Sequence, residues 1–521
     1  MNWLECGIYI SSRCFLLIKR AGCLCLKKIN LLSCSLFAIQ SALSIIFITY
    51  LLKLNVLPDS ANFICVALIV LVFLLSTFLL IGKTKLKKIA CALLAGIFII
   101  IMIFPVRVMQ KTHHTLNNLQ GETTVYHTGY EILVRKDDKA EILSDVSKYV
   151  FGIDTSFDKK SANEALNNIS KKLNGIALNY IEYTSSSAVW EALVTNKDVD
   201  VILIESAFYD MFAELYIAKG DSIENYVKKV ENITVTINVE KPENPKPNEN
   251  PNNEKPKELN ARPFVIYVSG IDVAGKITTR SRSDVNILIV INPITKKMVL
   301  VTVPRDTYVP FPGITNGMYD KLTHAGIYGN NCSVSIATIE TYIYTGVKID
   351  RWIRVNFTSV ERIVDALGGV TVESEFEFTQ GGYKFVKGKN YLNGRQALAF
   401  SRNRKSFALG DQQRGKNQLQ VIKGVFNKAI SPAILTAYSD ILNEIKDCVQ
   451  TNLTYEDITG LVKMQLSDGA SWDIDTASIR TTHRYDVCYS MSSAGKIDVA
   501  IMSEESRLEV IGKINAILRG E

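Results

Sequence analysis

The runs FVIYVSGID (264–272), VNILIVINP (285–293) and MVLVTVPRD (298–306) carry the strongest fold signal in this chain. All three are dense in β-branched residues, so they are expected to be central strands, the last two joined by the turn-like Asn292-Pro293-Ile294-Thr295. Helical patterns follow at 334–344, 357–367 and 414–430, and the chain closes with a strand-like VAIMS and an amphipathic SRLEVIGKINAIL. The region 260–521 therefore reads as an α/β domain, with helices covering a mixed sheet.

Just before these strands, residues 240–259 (EKPENPKPNENPNNEKPKEL) are rich in Pro, Asn and Glu and lack apolar periodicity, which predicts an extended spacer. Upstream of it, YEILVRKD and VDVILIE read as strands, and SANEALNNISKKL and AVWEALVTN as helices. A small accessory α/β domain is thus expected over 107–239, with no residues that suggest chemistry. Residues 31–52, 61–81 and 89–106 are apolar all round and approach the roughly 20 residues needed to cross a bilayer. Basic residues crowd the segment before the first span (1–30) and Lys83, Lys85, Lys87 and Lys88 fill the second loop. The positive-inside rule then predicts a multi-pass membrane protein with a cytoplasmic N-terminus and everything after Val106 outside. Of ten cysteines, Cys332, Cys448 and Cys488 would be exterior; Cys448 and Cys488 are equally open to pairing or to burial as free thiols.

Charge gathers where the strands end. Asp272 closes the first run, Arg282 and Asp284 introduce the second, and Arg305-Asp306 closes the third. Ligands of α/β sheets collect at such ends. The stretch RNRKSFALGDQQRGKNQ (402–418) adds Arg402, Arg404, Asp411, Arg414 and Gln418. Guanidinium forks match phosphate oxygens, and Arg414 and Gln418, four apart, share a helix face, so the group is expected to clamp a pyrophosphate. Asp272 and Asp284 are hard oxygen donors of the kind magnesium takes together with phosphate oxygens. The five histidines (113, 114, 127, 324, 483) have no zinc spacing, and there is no Walker loop and no GxSxG elbow. Nucleic acid is not an expected partner despite the net charge of +7. No helix-turn-helix is evident, and the cytoplasmic start is only about 30 residues, too short for a usual DNA-binding domain.

The motifs SGID, SRSDVNILIVINP, VPRDTYV, YDKLTHAG, VNFTSVERIVDALGGV, LNGRQALAFSRNRK and DQQRGKNQ occur in order, and with them the region from about Arg262 resembles the LytR-CpsA-Psr (LCP) family of cell-wall glycopolymer ligases. The three-span anchor and accessory domain are similar to its capsular-polysaccharide CpsA branch. The resemblance implies a phosphotransferase that moves a glycopolymer (capsular polysaccharide, teichoic acid or related) from an undecaprenyl-pyrophosphate carrier to a muramic acid hydroxyl of peptidoglycan through a phosphodiester. It further implies that Asp272 and Asp284 hold Mg2+ and that Arg282, Arg305, Arg402, Arg404, Arg414 and Gln418 grip the pyrophosphate. The family often has Arg-Gln where this chain has Asn417-Gln418.

Asp411 or Asp306 is expected to take the acceptor proton, with Asp411 preferred. Lys321 and His324 are candidates for rim contacts or for structural roles. Helices over 336–344 and 355–367 would enclose a polyprenyl chain against the sheet or simply pack the core. Two other readings stay open: a phosphatase that releases the polymer by water attack, and a non-catalytic membrane sensor of polyprenyl phosphates.

Overall fold

The computed structural model describes the backbone of residues 3–119 and 123–240, and from 258 onward all but 272, 274–276, 330, 405, 407–409, 432–440, 442–443 and 445–447. It does not describe the side chains of 3–28, 114–119, 123–125, 238–240, 411 and 494. Most of the expected spacer at 240–259 lies outside the described residues. The chain divides into two compact units, Met1–Asn117 with Ile458–Gly469, and Asn118–Asp457 with Ala470–Glu521.

In the first unit, the helices Trp3–Leu54, Asp59–Ile81 and Lys85–Leu119 carry apolar segments long enough to cross a membrane at Ile29–Leu54, Asp59–Ile81 and Lys85–His113. The apolar residues divide between two surroundings. Phe47, Leu51, Ile69, Met102 and Val106 pack together, whereas Phe63, Ile81, Ile100 and Phe104 point outward, as side chains facing hydrocarbon do.

The second unit is built on two large sheets, with four two-stranded ones beside them among the described residues. The accessory sheet has five strands in the order Asn179–Tyr183, Val150–Asp154, Val201–Glu205, Thr123–Arg135, Val227–Glu240. The helices Lys159–Lys172 and Ser206–Ala218 belong to this region. The larger sheet runs Val449–Thr451, Arg351–Val355, Phe264–Ile271, Ser283–Asn292, Lys297–Thr302, Asp473–Ser478, with the three dense apolar runs at its centre as their composition demands. It is mixed. The three central strands are antiparallel, and Arg351–Val355 and Asp473–Ser478 join them in parallel.

One buried cluster crosses from the accessory region, with Trp190 and Phe212 stacked at 4.7 Å, to Tyr267 and Val301 of the larger sheet and to Phe311 and Tyr344 outside it. Polar contacts seal the same junction. The buried Arg280 guanidinium donates to Asp158 at 2.7 Å and Glu205 at 3.0 Å, both accessory residues. Removing either acid would strand part of a buried charge, so this pairing ties the accessory region to one position on the sheet. Cys332, Cys448 and Cys488 are buried free thiols, which decides against a Cys448–Cys488 disulfide.

A candidate pyrophosphate and lipid site

Strand direction explains why charges distant along the chain meet. Phe264–Ile271 and Ser283–Asn292 are antiparallel with Gly270 opposite Val285, and Thr302 lies opposite Ile287, so one strand begins where its two neighbours end. Arg351–Val355, parallel to the first, brings Val355 beside Gly270 at the same end. There Asn356 caps the helix Phe357–Ala366, its side chain accepting from the Ser359 amide at 2.9 Å. The helix Asp411–Ala429 comes close because Gly415 faces Thr302: a Cβ there would lie 3.1 Å from Thr302 Oγ1.

Between these elements lies a cavity of about 560 Å³. Its wall is apolar, built from Val268, Val285, Val355, Phe357, Val360, Ile363, Val364, Leu398, Val421, Ile422 and Val425. Its polar lining includes Asp284, Arg305, Arg402, Arg404, Arg414 and Gln418, together with Asn356, Gln380, Ser401 and, from the accessory region, Glu214. The expected face of Arg414 and Gln418 therefore turns inward. Of the two segments expected to enclose a lipid, 355–367 forms one wall. By contrast, 336–344 does not: Ile339 and Ile343 are buried in the central core cluster, and their helix Ser333–Thr338 passes into a π turn at Ile339–Ile343.

The electrostatics keep the acids ionised. Burial pushes the Asp284 carboxyl up, but Arg305, Arg282, the Thr323 hydroxyl and Arg414 outweigh it and hold it below the carboxylate range. Arg305 Nη1 donates to Asp284 Oδ2 at 2.7 Å and Thr323 Oγ1 to Oδ1 at 2.8 Å. Arg402 stacks on the Phe357 ring at 4.2 Å, joining the cationic mouth to the apolar wall.

Several expected positions need correction. Arg282 does not line this cavity. Its fork is taken by Glu214, with bonds of 2.6 and 2.7 Å. Asp306 also lies off the cavity, 3.0 Å from Lys321 Nζ. Burial raises its carboxyl, but Lys321 and Arg305 more than offset this and bring it to about 2. Lys321 thus holds an acid, and His324 is buried with Nδ1 2.6 Å from Asp320 and 2.9 Å from the Ser490 hydroxyl. Asp272 lies outside the described residues, and of Asp411 only the backbone, at the start of its helix, is described. Asn417 is buried, with Nδ2 donating to the Phe400 carbonyl at 3.3 Å, so the family's frequent arginine is replaced at a helix–helix contact and not in the cavity lining.

Among the described residues no three His, Cys, Asp or Glu side chains cluster to hold a metal. Asp284 alone fits magnesium as a single carboxylate beside a phosphate site, since Arg305 and Thr323 each take one of its oxygens and leave both with a lone pair to spare. Glu214 and Thr323 escaped the sequence reading. Glu214 sits in a mostly apolar helix, 68 residues from its partner in sequence.

The LytR_cpsA_psr family matches residues 224–507 of this chain, more than half of it. A polyisoprenyl-teichoic acid–peptidoglycan teichoic acid transferase TagU of Bacillus anthracis is 39% identical over 218 residues, covering 42% of this chain and 70% of the relative. The protein of the same name from Bacillus subtilis strain 168 is 36% identical over 196 residues, covering 38% and 62%. The crystal structure of B. subtilis TagU overlaps 49% of this chain and 97% of its own at 29% identity, with a TM-score of 0.39. These relatives correct the capsular CpsA-like assignment: they are named as teichoic acid transferases. That assignment rested on the order of anchor and accessory segments, which carries no information about the polymer at the site. The chain belongs to the LytR_cpsA_psr family.

Proposed function

We propose that this protein is a membrane-anchored phosphotransferase that joins a teichoic-acid-type glycopolymer, delivered on a polyprenyl pyrophosphate such as undecaprenyl pyrophosphate, to peptidoglycan. The observation that carries this reading is a cationic rim, Arg305, Arg402, Arg404 and Arg414, on an apolar cavity of about 560 Å³. That volume is in the range of small-molecule sites, and the two surfaces match the two halves of a lipid pyrophosphate. The family membership and the names of the relatives support the same chemistry.

A hydroxyl of peptidoglycan muramic acid attacks the polymer-side phosphorus. A new P–O bond forms, the P–O bond to the lipid-side phosphate breaks, and polyprenyl monophosphate leaves with the electron pair. The guanidiniums of Arg305 and Arg414 neutralise charge on the non-bridging oxygens as the bond breaks. Arg402, stacked on Phe357, sits where lipid and phosphate join. Magnesium, held by Asp284 with Asp272 and the substrate's phosphates, would supply further charge neutralisation. The acceptor proton goes to Asp411 in preference to Asp306, because a carboxylate held at about 2 is a weak base at neutral pH. The carrier's anhydride supplies the driving force, so the domain works outside the membrane without ATP, with the N-terminus inside.

The test is to incubate the detergent-solubilised full chain with Mg2+, labelled polyprenyl-pyrophosphate-linked polymer and peptidoglycan. Label that only a muramidase releases supports the ligase. Free polymer would mean hydrolysis, and unchanged lipid a sensor. Asp411→Asn should leave carrier binding intact and lower transfer by about 10² to 10⁴-fold. Retained turnover would exclude it as the base.

A further inference from the structure

A second cavity, of about 290 Å³, adjoins the first and shares Glu214, Arg305 and Arg404 with it. It differs in its walls. One is the accessory helix Ser206–Ala218 with Lys219 just beyond it, and the other is the hairpin Thr481–Val487 and Lys496–Met502, which presents Tyr485 and Lys496. Six cationic side chains line it against three carboxylates. Lys219 and Lys496 are exposed, and Tyr485 is 71% exposed, an aromatic ring left open in a cleft of mixed charged and apolar lining. The accessory wall, residues 211–219, precedes the family match, which begins at residue 224, so this half of the cleft is an addition to the shared catalytic region.

We infer that the second cavity is a subsite for the polymer side of the substrate and selects a glycopolymer that carries phosphate along its chain, with the accessory helix as one wall. The inference rests on the transferase reading above. With lipid in the apolar cavity and the pyrophosphate on Arg305 and Arg404, the first sugars leave the clamp on its polar side, where those same two arginines border the cleft. A pyranose ring offers a C–H face that the Tyr485 ring can cover. Repeating phosphates add an attraction to Lys219 and Lys496 that a neutral glycan lacks, and the excess positive charge of the cleft concentrates such a chain before it docks. The accessory region then reads the polymer, while the clamp reads the pyrophosphate common to every carrier-linked substrate.

The experiment compares transfer by the full chain from two carriers of equal length, one bearing a poly(polyol phosphate) glycan and the other a neutral glycan. Wild type should prefer the phosphate-bearing one, with a preference that shrinks as salt rises. Lys219→Glu combined with Lys496→Glu should reduce the ratio of the two rates by about tenfold. Both lysines are exposed, and an unchanged melting temperature of the double variant checks that the charge reversals spare the fold; Lys496→Ala should move the ratio in the same direction by less. An unchanged ratio in the double variant, with wild-type transfer intact, overturns the subsite. Absence of transfer from either carrier by the wild type overturns the transferase reading and the subsite with it.

Discussion

Four of the arginines near the sheet end fall into two sets, with the half-buried Arg414 between them. On the strand side, Arg282 and Arg305 are largely buried, and their forks are held by Glu214 and Asp284. On the helix side, Arg402 and Arg404 are exposed and make no ion pair among the described residues. The first set is fixed before substrate arrives, so its donors cost little to reorganise, whereas the second adds charge that water and salt screen. The proposed clamp would then divide its work: the paired Arg305 would set the geometry of phosphoryl transfer, and the exposed Arg402 and Arg404 would increase affinity for the anion.

The largest effect on this division is expected of Arg305→Ala, which should lower transfer by about 10³-fold or more, since it removes a preorganised donor. It should also lower the melting temperature, because Asp284 and Asp306 lose a partner while buried. An effect no larger than that of Arg402→Ala would erase the distinction. Asp306 gives the next largest signal, in stability. Its folded value of about 2 lies below the ordinary 3.8, so its contribution is complete above pH about 4 and is lost as pH falls toward 2. That contribution is about 2 kcal/mol. Asp306→Asn should flatten acid unfolding of the detergent-solubilised chain in this window, and an unaltered acid limb would argue against the buried Lys321 pair.

On the helix side, Arg402→Ala and Arg404→Ala should each weaken carrier binding by about tenfold at low salt and by less at high salt. Titration of the solubilised chain with a short polyprenyl pyrophosphate measures this. The smallest effect belongs to Glu214→Gln, which removes a negative charge beside the clamp while leaving an acceptor for Arg282. Carrier binding should tighten by about threefold. Weaker binding would mean that Glu214 contributes to the site by positioning Arg282.

The same two sets differ in how far they could be read from the chain. The central strands were legible because β-branched runs have few alternatives, and Arg305, Arg402, Arg404 and Arg414 were legible because strand ends and a helix face bring them to one place. Arg282 and Asp306 were equally conspicuous, but their true partners were not. Glu214 lies in a separate sheet region 68 residues away, and Lys321 stands in a short strand whose pairing depends on tertiary packing. The apolar wall was half legible: 355–367 and 336–344 have similar helical patterns, and only packing sends Ile339 and Ile343 into the core and Val360 and Ile363 to the cavity. Asn417 stands where the family often has Arg, and its burial against Phe400 is invisible without the neighbouring helix.

Whether one cavity takes both halves of the carrier is decided by a structure of the full chain with a polyprenyl pyrophosphate bound. Isoprene units should lie against Val360, Ile363 and Val421, with phosphate oxygens within hydrogen-bond reach of Arg305 and Arg414. A lipid found outside this cavity, or a pyrophosphate that leaves both arginines untouched, would contradict the proposed site.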